Sequence, residues 1–174
     1  MIRRAVPADA ATLSALAVET FFETFVDGFG IPYPQADRDA YVAEKLAPAV
    51  FAARIADPAF GLWVAEHEGR PVGFAVAGPN GLPHADAAEG DLELKQLYLI
   101  RAAQGLGLGG QLFEAALAWM EARGPTAIWI GVWSGNAKAQ RLYAAVGFEK
   151  AGEYQFAVGS WLDDEFILRR AGRR

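Results

Sequence analysis

The chain has 174 residues, a formal net charge of −5, and 53% apolar against 21% charged residues, which is the profile of one folded domain. The absence of cysteine excludes disulfides, thiolate metal sites and a thiol-based acyl-enzyme. The acidic balance argues against a nucleic-acid partner, and no run approaches the ~18 to 20 apolar residues that span a bilayer.

In chain order, residues 2–5 read as a short strand, and Pro7-Ala8-Asp9 opens a helix. Leu13, Leu16, Ala17 and Phe21 recur at helical spacing, and this helix is expected to reach Phe25 before Gly28 and Gly30 end it. Asp9 interrupts the first segment before a signal-peptide core can form, so a cytoplasmic protein is expected. Two further helices are predicted at 38–46 and 49–55. Residues 62–65 and 71–77 form strands around a turn at Glu68-Gly69-Arg70. Residues 78–90 are loop and 92–99 a strand.

A glycine-rich loop at 104–110 runs into a helix with an apolar stripe of Leu108, Leu112, Ala116, Leu117 and Met120, stopped by Arg123-Gly124-Pro125. Residues 127–133 are a strand with Ile128, Ile130 and Val132 on one face. Asn136 caps a helix ending near Val146, with Gly147 as its terminator, and strands at 148–158 and 163–168 close the chain. The order predicts a single α/β domain over 1–174, a mixed sheet between helices.

Hydrolase chemistry is poorly supplied. None of Ser14, Ser134 and Ser160 sits in a G-x-S-x-G elbow, and His67 and His84 stand alone, so neither a triad nor a metal site is expected. Gln104-Gly105-Leu106-Gly107-Leu108-Gly109-Gly110 suits an anion at a helix N-terminus. Gly105, Gly107 and Gly110 satisfy G-x-G-x-x-G, while Gln104, Gly107 and Gly109 satisfy Q-x-x-G-x-G, a pyrophosphate loop for coenzyme A. A dinucleotide site needs an acidic residue at the end of the next strand, and Ile130-Gly131-Val132-Trp133 has none.

The stretch from Leu97-Tyr98-Leu99 through Gln104-Gly105-Leu106-Gly107-Leu108-Gly109 resembles the signature of the GNAT N-acetyltransferase superfamily. Asn136-Ala137-Lys138-Ala139-Gln140-Arg141-Leu142-Tyr143, ending at Gly147-Phe148, resembles that family's second block. Glu19-Thr20-Phe21, Gly131-Val132-Trp133 and Gly152-Glu153-Tyr154-Gln155-Phe156 resemble bacterial polyamine acetyltransferases. The resemblance implies a mostly antiparallel sheet of six to seven strands flanked by helices, with splayed central parallel strands. It implies direct acetyl transfer from acetyl-CoA to a small primary amine, polyamines first. Amino acids, protein N-termini and aminoglycoside-like amines follow, and a non-catalytic acyl-CoA sensor is the alternative. A homodimer is compatible with it.

The roles it implies are specific. Leu97, Tyr98 and Leu99 line the pantetheine arm, with the Leu97 amide on the thioester oxygen. Gln104 to Gly110 hold the pyrophosphate, and Asn136 is a helix cap or a pantetheine contact. Glu93 is the candidate base; the bland alternative is a surface glutamate beside Lys95. Tyr143 is the candidate acid for the leaving thiolate, or else a core aromatic. Asn136, Gln140 and Tyr143 fall on one helix face, with Leu142 and Val146 on the buried side. Alternation puts Glu93, Lys95, Leu97 and Leu99 on one face, unless a bulge shifts the register.

An acceptor amine is mostly protonated at neutral pH, so carboxylates matter. Glu19, Glu23 and Asp27 make an acidic stripe and Asp163-Asp164-Glu165 a second cluster. The family resemblance implies Trp133 as a wall of the acceptor channel, or else ordinary packing.

Overall fold

A computed structural model describes residues 1–172. Seven strands form one sheet: β1 (Ile2–Arg4), β2 (Gly61–His67), β3 (Arg70–Pro79), β4 (Leu92–Leu99), β5 (Ala127–Trp133), β6 (Glu149–Val158) and β7 (Trp161–Ala171). Their spatial order is β1-β2-β3-β4-β5-β7-β6. All neighbours are antiparallel except β4 and β5. Five α-helices cover the faces: α1 (Ala10–Phe21), α2 (Gln35–Lys45), α3 (Pro48–Ala56), α4 (Leu108–Glu121) and α5 (Ala137–Ala144).

Period-two alternation divides the core between two layers. Trp63, Ala65, Ala75, Ala77, Ile128 and Ile130 face α4, where they meet Leu112, Phe113, Ala116 and Met120. The intervening Leu62, Val64, Phe74 and Val76 face the other way, onto Leu13, Leu16, Ala17 and Phe21 of α1 and Phe51 of α3. The expected face of Ile128, Ile130 and Val132 is observed. Trp129, fully buried between them on the opposite side, packs with Leu82 and Ile167.

Two elements differ from expectation for physical reasons. The first helix ends at Phe21 and continues as a π-helical turn, Phe22–Gly28. Sequence periodicity reads such a turn as more α-helix, because it alters only the hydrogen-bond step. Gly28 fits this turn closely, since a Cβ there would lie 2.8 Å from the Glu23 carbonyl oxygen. β7 runs three residues past the expected Leu168. Its charged end remains a strand because β7 is paired on both sides, Arg169 lying opposite Trp129 and Glu149.

Candidate active site

The site is a fork in the sheet. β4 and β5 pair only from Leu92 opposite Ile128 to Leu94 opposite Ile130. Beyond that pair the strands diverge, β4 to Leu99 and β5 to Trp133. A cleft of about 780 Å³ occupies the opening.

Asp91 pins the closed end. One of its oxygens accepts from the Ala127 N–H at 2.8 Å, the other from Trp129 Nε1 at 2.8 Å and the Ala88 N–H at 3.0 Å. Sequence reading gave this buried carboxylate no role.

A bulge sets what the open arm presents. Gln96 pairs with Val76 but Leu94 pairs with Ala77, so Lys95 is the extra residue. Leu97 and Leu99 therefore pack with Leu94 on the α4 side, while Tyr98 packs on the α1 side. The Ile100 N–H donates to Val72 O. By alternation Tyr98 and Gln96 also turn their backbone groups to β3, and the Leu97 N–H points into the fork.

The glycine loop continues this arm. Gly105 and Gly107 have φ of +85° and +75°, in the left-handed region where a side chain is strained. Gly107 is the N-cap of α4 and provides no side-chain cap, so the first N–H groups of a 14-residue helix remain available to a ligand. Gln104, Gly105, Gly107, Gly109 and Gly110 line the cleft. Leu106 and Leu108 do not: Leu106 is exposed, and Leu108 is buried in the core.

From the β5 arm come Asn136 and Tyr143. Asn136 Oδ1 caps α5 by accepting from the Ala139 N–H at 3.1 Å. Gln140 does not join them at the cleft. Its side-chain amide donates to the Ser134 and Trp133 carbonyls at 2.9 and 3.3 Å, fixing the turn before α5. Leu142 is exposed at the cleft edge instead of buried, because α5 is only eight residues long and rests on the core through Tyr143. Burial pushes the Tyr143 phenol upward, so it stays protonated at neutral pH.

The acceptor-side candidates are scattered. Glu19 is exposed and outside the cleft. Glu23 lines it, but its Oε2 accepts from the Arg101 N–H at 2.6 Å and its carbonyl from the Arg101 guanidinium at 3.0 Å. The π-helical turn breaks the expected stripe and leaves Asp27 exposed, outside the cleft. Trp133 forms a wall, its ring 4.6 Å from that of Phe29.

A second cavity of about 90 Å³ adjoins the cleft and is lined by Glu93, Lys95, Tyr33, Tyr154, Asp163 and Glu165 among others. Glu93 belongs here and does not line the main cleft. Its Oε2 accepts from Lys95 Nζ at 2.7 Å and the Gly81 N–H at 2.9 Å. Both Asp163 oxygens are engaged, by Tyr33 Oη and Trp161 Nε1.

Glu165 lines both cavities. Tyr154, its cross-strand partner, donates to Oε2 at 2.6 Å. Burial pushes the Glu165 carboxyl up to about 7; the Tyr154 hydrogen bond opposes this, and Asp163 and Glu93 add to it. Burial likewise pushes the Tyr154 phenol upward.

Residues 18–148 match the model of the acetyltransferase (GNAT) family. The chain belongs to that family. An uncharacterized N-acetyltransferase of Mycobacterium tuberculosis is 31% identical over 166 residues, covering 93% of this chain and 97% of the relative. Among solved structures, the PaiA N-acetyltransferase of Thermoplasma acidophilum, in complex with coenzyme A, superimposes with a TM-score of 0.76. It is 19% identical and covers 98% of both chains. YncA of Salmonella typhimurium, solved with its cofactor acetyl-CoA, gives a TM-score of 0.72 at 24% identity, covering 100% of this chain and 94% of that one. The GNAT fold expected from the sequence is thereby observed, with its single parallel pair at the fork.

Sequence reading missed Glu165 as an individual and Tyr154 as its partner. Strand alternation held the signal: in Asp163-Asp164-Glu165 the outer two turn inward, and Asp164 is exposed.

Proposed function

We propose that this GNAT protein is an acetyl-CoA-dependent N-acetyltransferase that transfers acetyl directly to a small primary amine. The observation that carries this reading is the fork itself: Leu97 on the β4 arm beyond the last β4–β5 pair, an uncapped α4 N-terminus behind Gly107, and Asn136 with Tyr143 line one cleft. The residues fit the cosubstrate. Gln104, Gly105, Gly107, Gly109, Gly110 and the first N–H groups of α4 suit a pyrophosphate, with Lys138 and Arg101 also lining the cleft. The free edge of Leu97 to Leu99 suits the amides of a pantetheine arm. Bound there, acetyl-CoA supplies an activated thioester.

The chain's own groups would do the rest. The Leu97 N–H stabilises the oxyanion that forms as the amine attacks, a contribution worth a few kcal/mol in related acyl transfer. Tyr143 keeps its proton and gives it to the departing thiolate. Two carboxylates, Glu93 and Glu165, stand on the acceptor side to receive the ammonium proton. With no cysteine to acylate, the ternary complex is the direct route.

Polyamines head the acceptor panel, because the small cavity carries Glu93, Asp163 and Glu165 against Lys95 alone among its lining side chains. The test is a thermal shift with acetyl-CoA, CoA and NAD, followed by thiol release with polyamines, amino acids and aminoglycosides. Stabilisation by the CoA compounds with thiol release supports the reading. Stabilisation without release from any amine makes this a binding module, and a shift with NAD alone overturns it. Tyr143→Phe is expected to lower kcat tenfold or more while acetyl-CoA affinity stays within twofold; unchanged kcat removes Tyr143 from the acid role.

A further inference from the structure

We infer that Glu165 is the carboxylate that takes the proton from the acceptor ammonium, that Tyr154 positions it, and that the small cavity beside it seats the ammonium group. This rests on the acetyltransferase reading above and deepens it.

Geometry separates Glu165 from its competitors. Among the carboxylates lining the small cavity it is the one that also lines the cleft. Its Oε2 is held by Tyr154, and no described residue donates a hydrogen bond to Oε1. Glu93 also has an Oε1 to which no described residue donates, but it is neutralised by Lys95 and lies outside the cleft. Asp163 has both oxygens occupied, by Tyr33 Oη and Trp161 Nε1. Glu23 faces the cleft but is committed to Arg101.

The backbone also makes room for this pair. A Cβ at position 131, on the β5 arm, would lie 2.6 Å from Tyr154 Oη and 3.1 Å from Glu165 Oε2. Glycine there leaves space for the hydrogen-bonded pair, of which Glu165 reaches the cleft. Glu165 lies opposite Trp133 on β5 and Tyr154 on β6. The charged and titratable groups around it are Asp163 on its own strand, Tyr154 on β6, Glu93, Lys95 and Tyr98 on β4, Tyr41 on α2 and Tyr33 before α2. Arg54 of α3 reaches this region through Gln96, to which it donates at 3.1 Å.

The proton balance is complete. Glu165, ionised, takes one proton from R–NH3⁺. The free amine forms a C–N bond to the acetyl carbon. As the C–S bond breaks, the thiolate gains a proton from Tyr143, and the second proton lost by the nitrogen restores the Tyr143 phenol through solvent. Glu165 then returns its proton to water, and one net proton is released per amide formed.

The experiment compares wild type, Glu165→Gln, Glu93→Gln and Tyr154→Phe. Calorimetry with acetyl-CoA tests the parent reading alone: failure of wild type to bind sinks that reading and leaves the carboxyl assignment readable below. Carbon NMR of ¹³C-glutamate-labelled protein follows the carboxyl signal that Glu165→Gln deletes, with and without CoA, using n-butylamine as probe. The expected result is titration near neutrality and a shift of that signal on adding n-butylamine. Titration in the ordinary carboxylate range, or no response to the amine, overturns the inference.

Thiol release with n-butylamine is the kinetic arm. Glu165→Gln is expected to lower kcat about 100-fold or more, in keeping with general-base catalysis, and to abolish the rise of kcat/KM near neutrality. Glu93→Gln should keep that rise. Tyr154→Phe should move its midpoint upward, since the phenol's hydrogen bond favours the ionised carboxylate. Loss of the rise in Glu93→Gln with its retention in Glu165→Gln transfers the role to Glu93.

Discussion

A methyl group at position 131 would meet Tyr154 Oη at 2.6 Å and Glu165 Oε2 at 3.1 Å. Gly131→Ala is therefore expected to displace the pair and cut turnover more than tenfold, while the protein unfolds as cooperatively as wild type; circular dichroism melts and thiol release check this. Glu165 also has a signature in stability. Its folded-state carboxyl lies at about 7, above its ordinary value of 4.5, so its protonated form is the one the fold favours. The stability it contributes is fully present below about pH 4.5 and is lost as pH rises through 7. Glu165→Gln should then be more stable than wild type at pH 8, by on the order of 2 to 3 kcal/mol, with the gap closing toward pH 4. Urea unfolding at both pH values measures it. Such a carboxylate is hard to find in sequence. The Asp163-Asp164-Glu165 run shows charge, but its division into inward and outward residues requires the pairing of β7 with β5 and β6.

Elements were more legible than the relations between them. The loop at 104–110 and the helix capped by Asn136 are local patterns, and both lie where their spacing implies. What local pattern cannot carry is register. The bulge at Lys95 rotates Leu97 and Leu99 relative to Glu93, and nothing between 92 and 99 distinguishes a bulged strand from a regular one. The π-helical turn is silent for the same reason, since it changes partners by one residue without changing composition. Asp91 ties the two central strands together at the root of the fork. Asp91→Ala leaves the Ala127 N–H, Trp129 Nε1 and Ala88 N–H without this acceptor, each worth about 1 to 3 kcal/mol when buried and unpaired. A loss of about 3 kcal/mol is expected, seen as a lower urea midpoint at unchanged slope.

At the scale of the whole molecule, β4 and β5 part within a sheet that is packed on both faces, so the groove belongs to the folded state. A ligand that binds only that state at 100 times its Kd adds about 2.7 kcal/mol, and for a domain of this size that is roughly 5 to 10 °C in Tm. Acetyl-CoA and CoA are expected to give it and NAD is not, as differential scanning fluorimetry will record. The divergence beyond Leu94 and Ile130 has another consequence. A strand edge opened inside a sheet is shielded from neighbouring chains by its own flanking strand, so it escapes the adhesiveness of an outer edge. It still leaves amide hydrogens open to water. The Leu97 amide should trade its proton for deuterium quickly in the free protein, and slowly once a pantetheine chain lies along it as an eighth strand. Isotope uptake at that one position would report occupancy of the groove before any acceptor is identified.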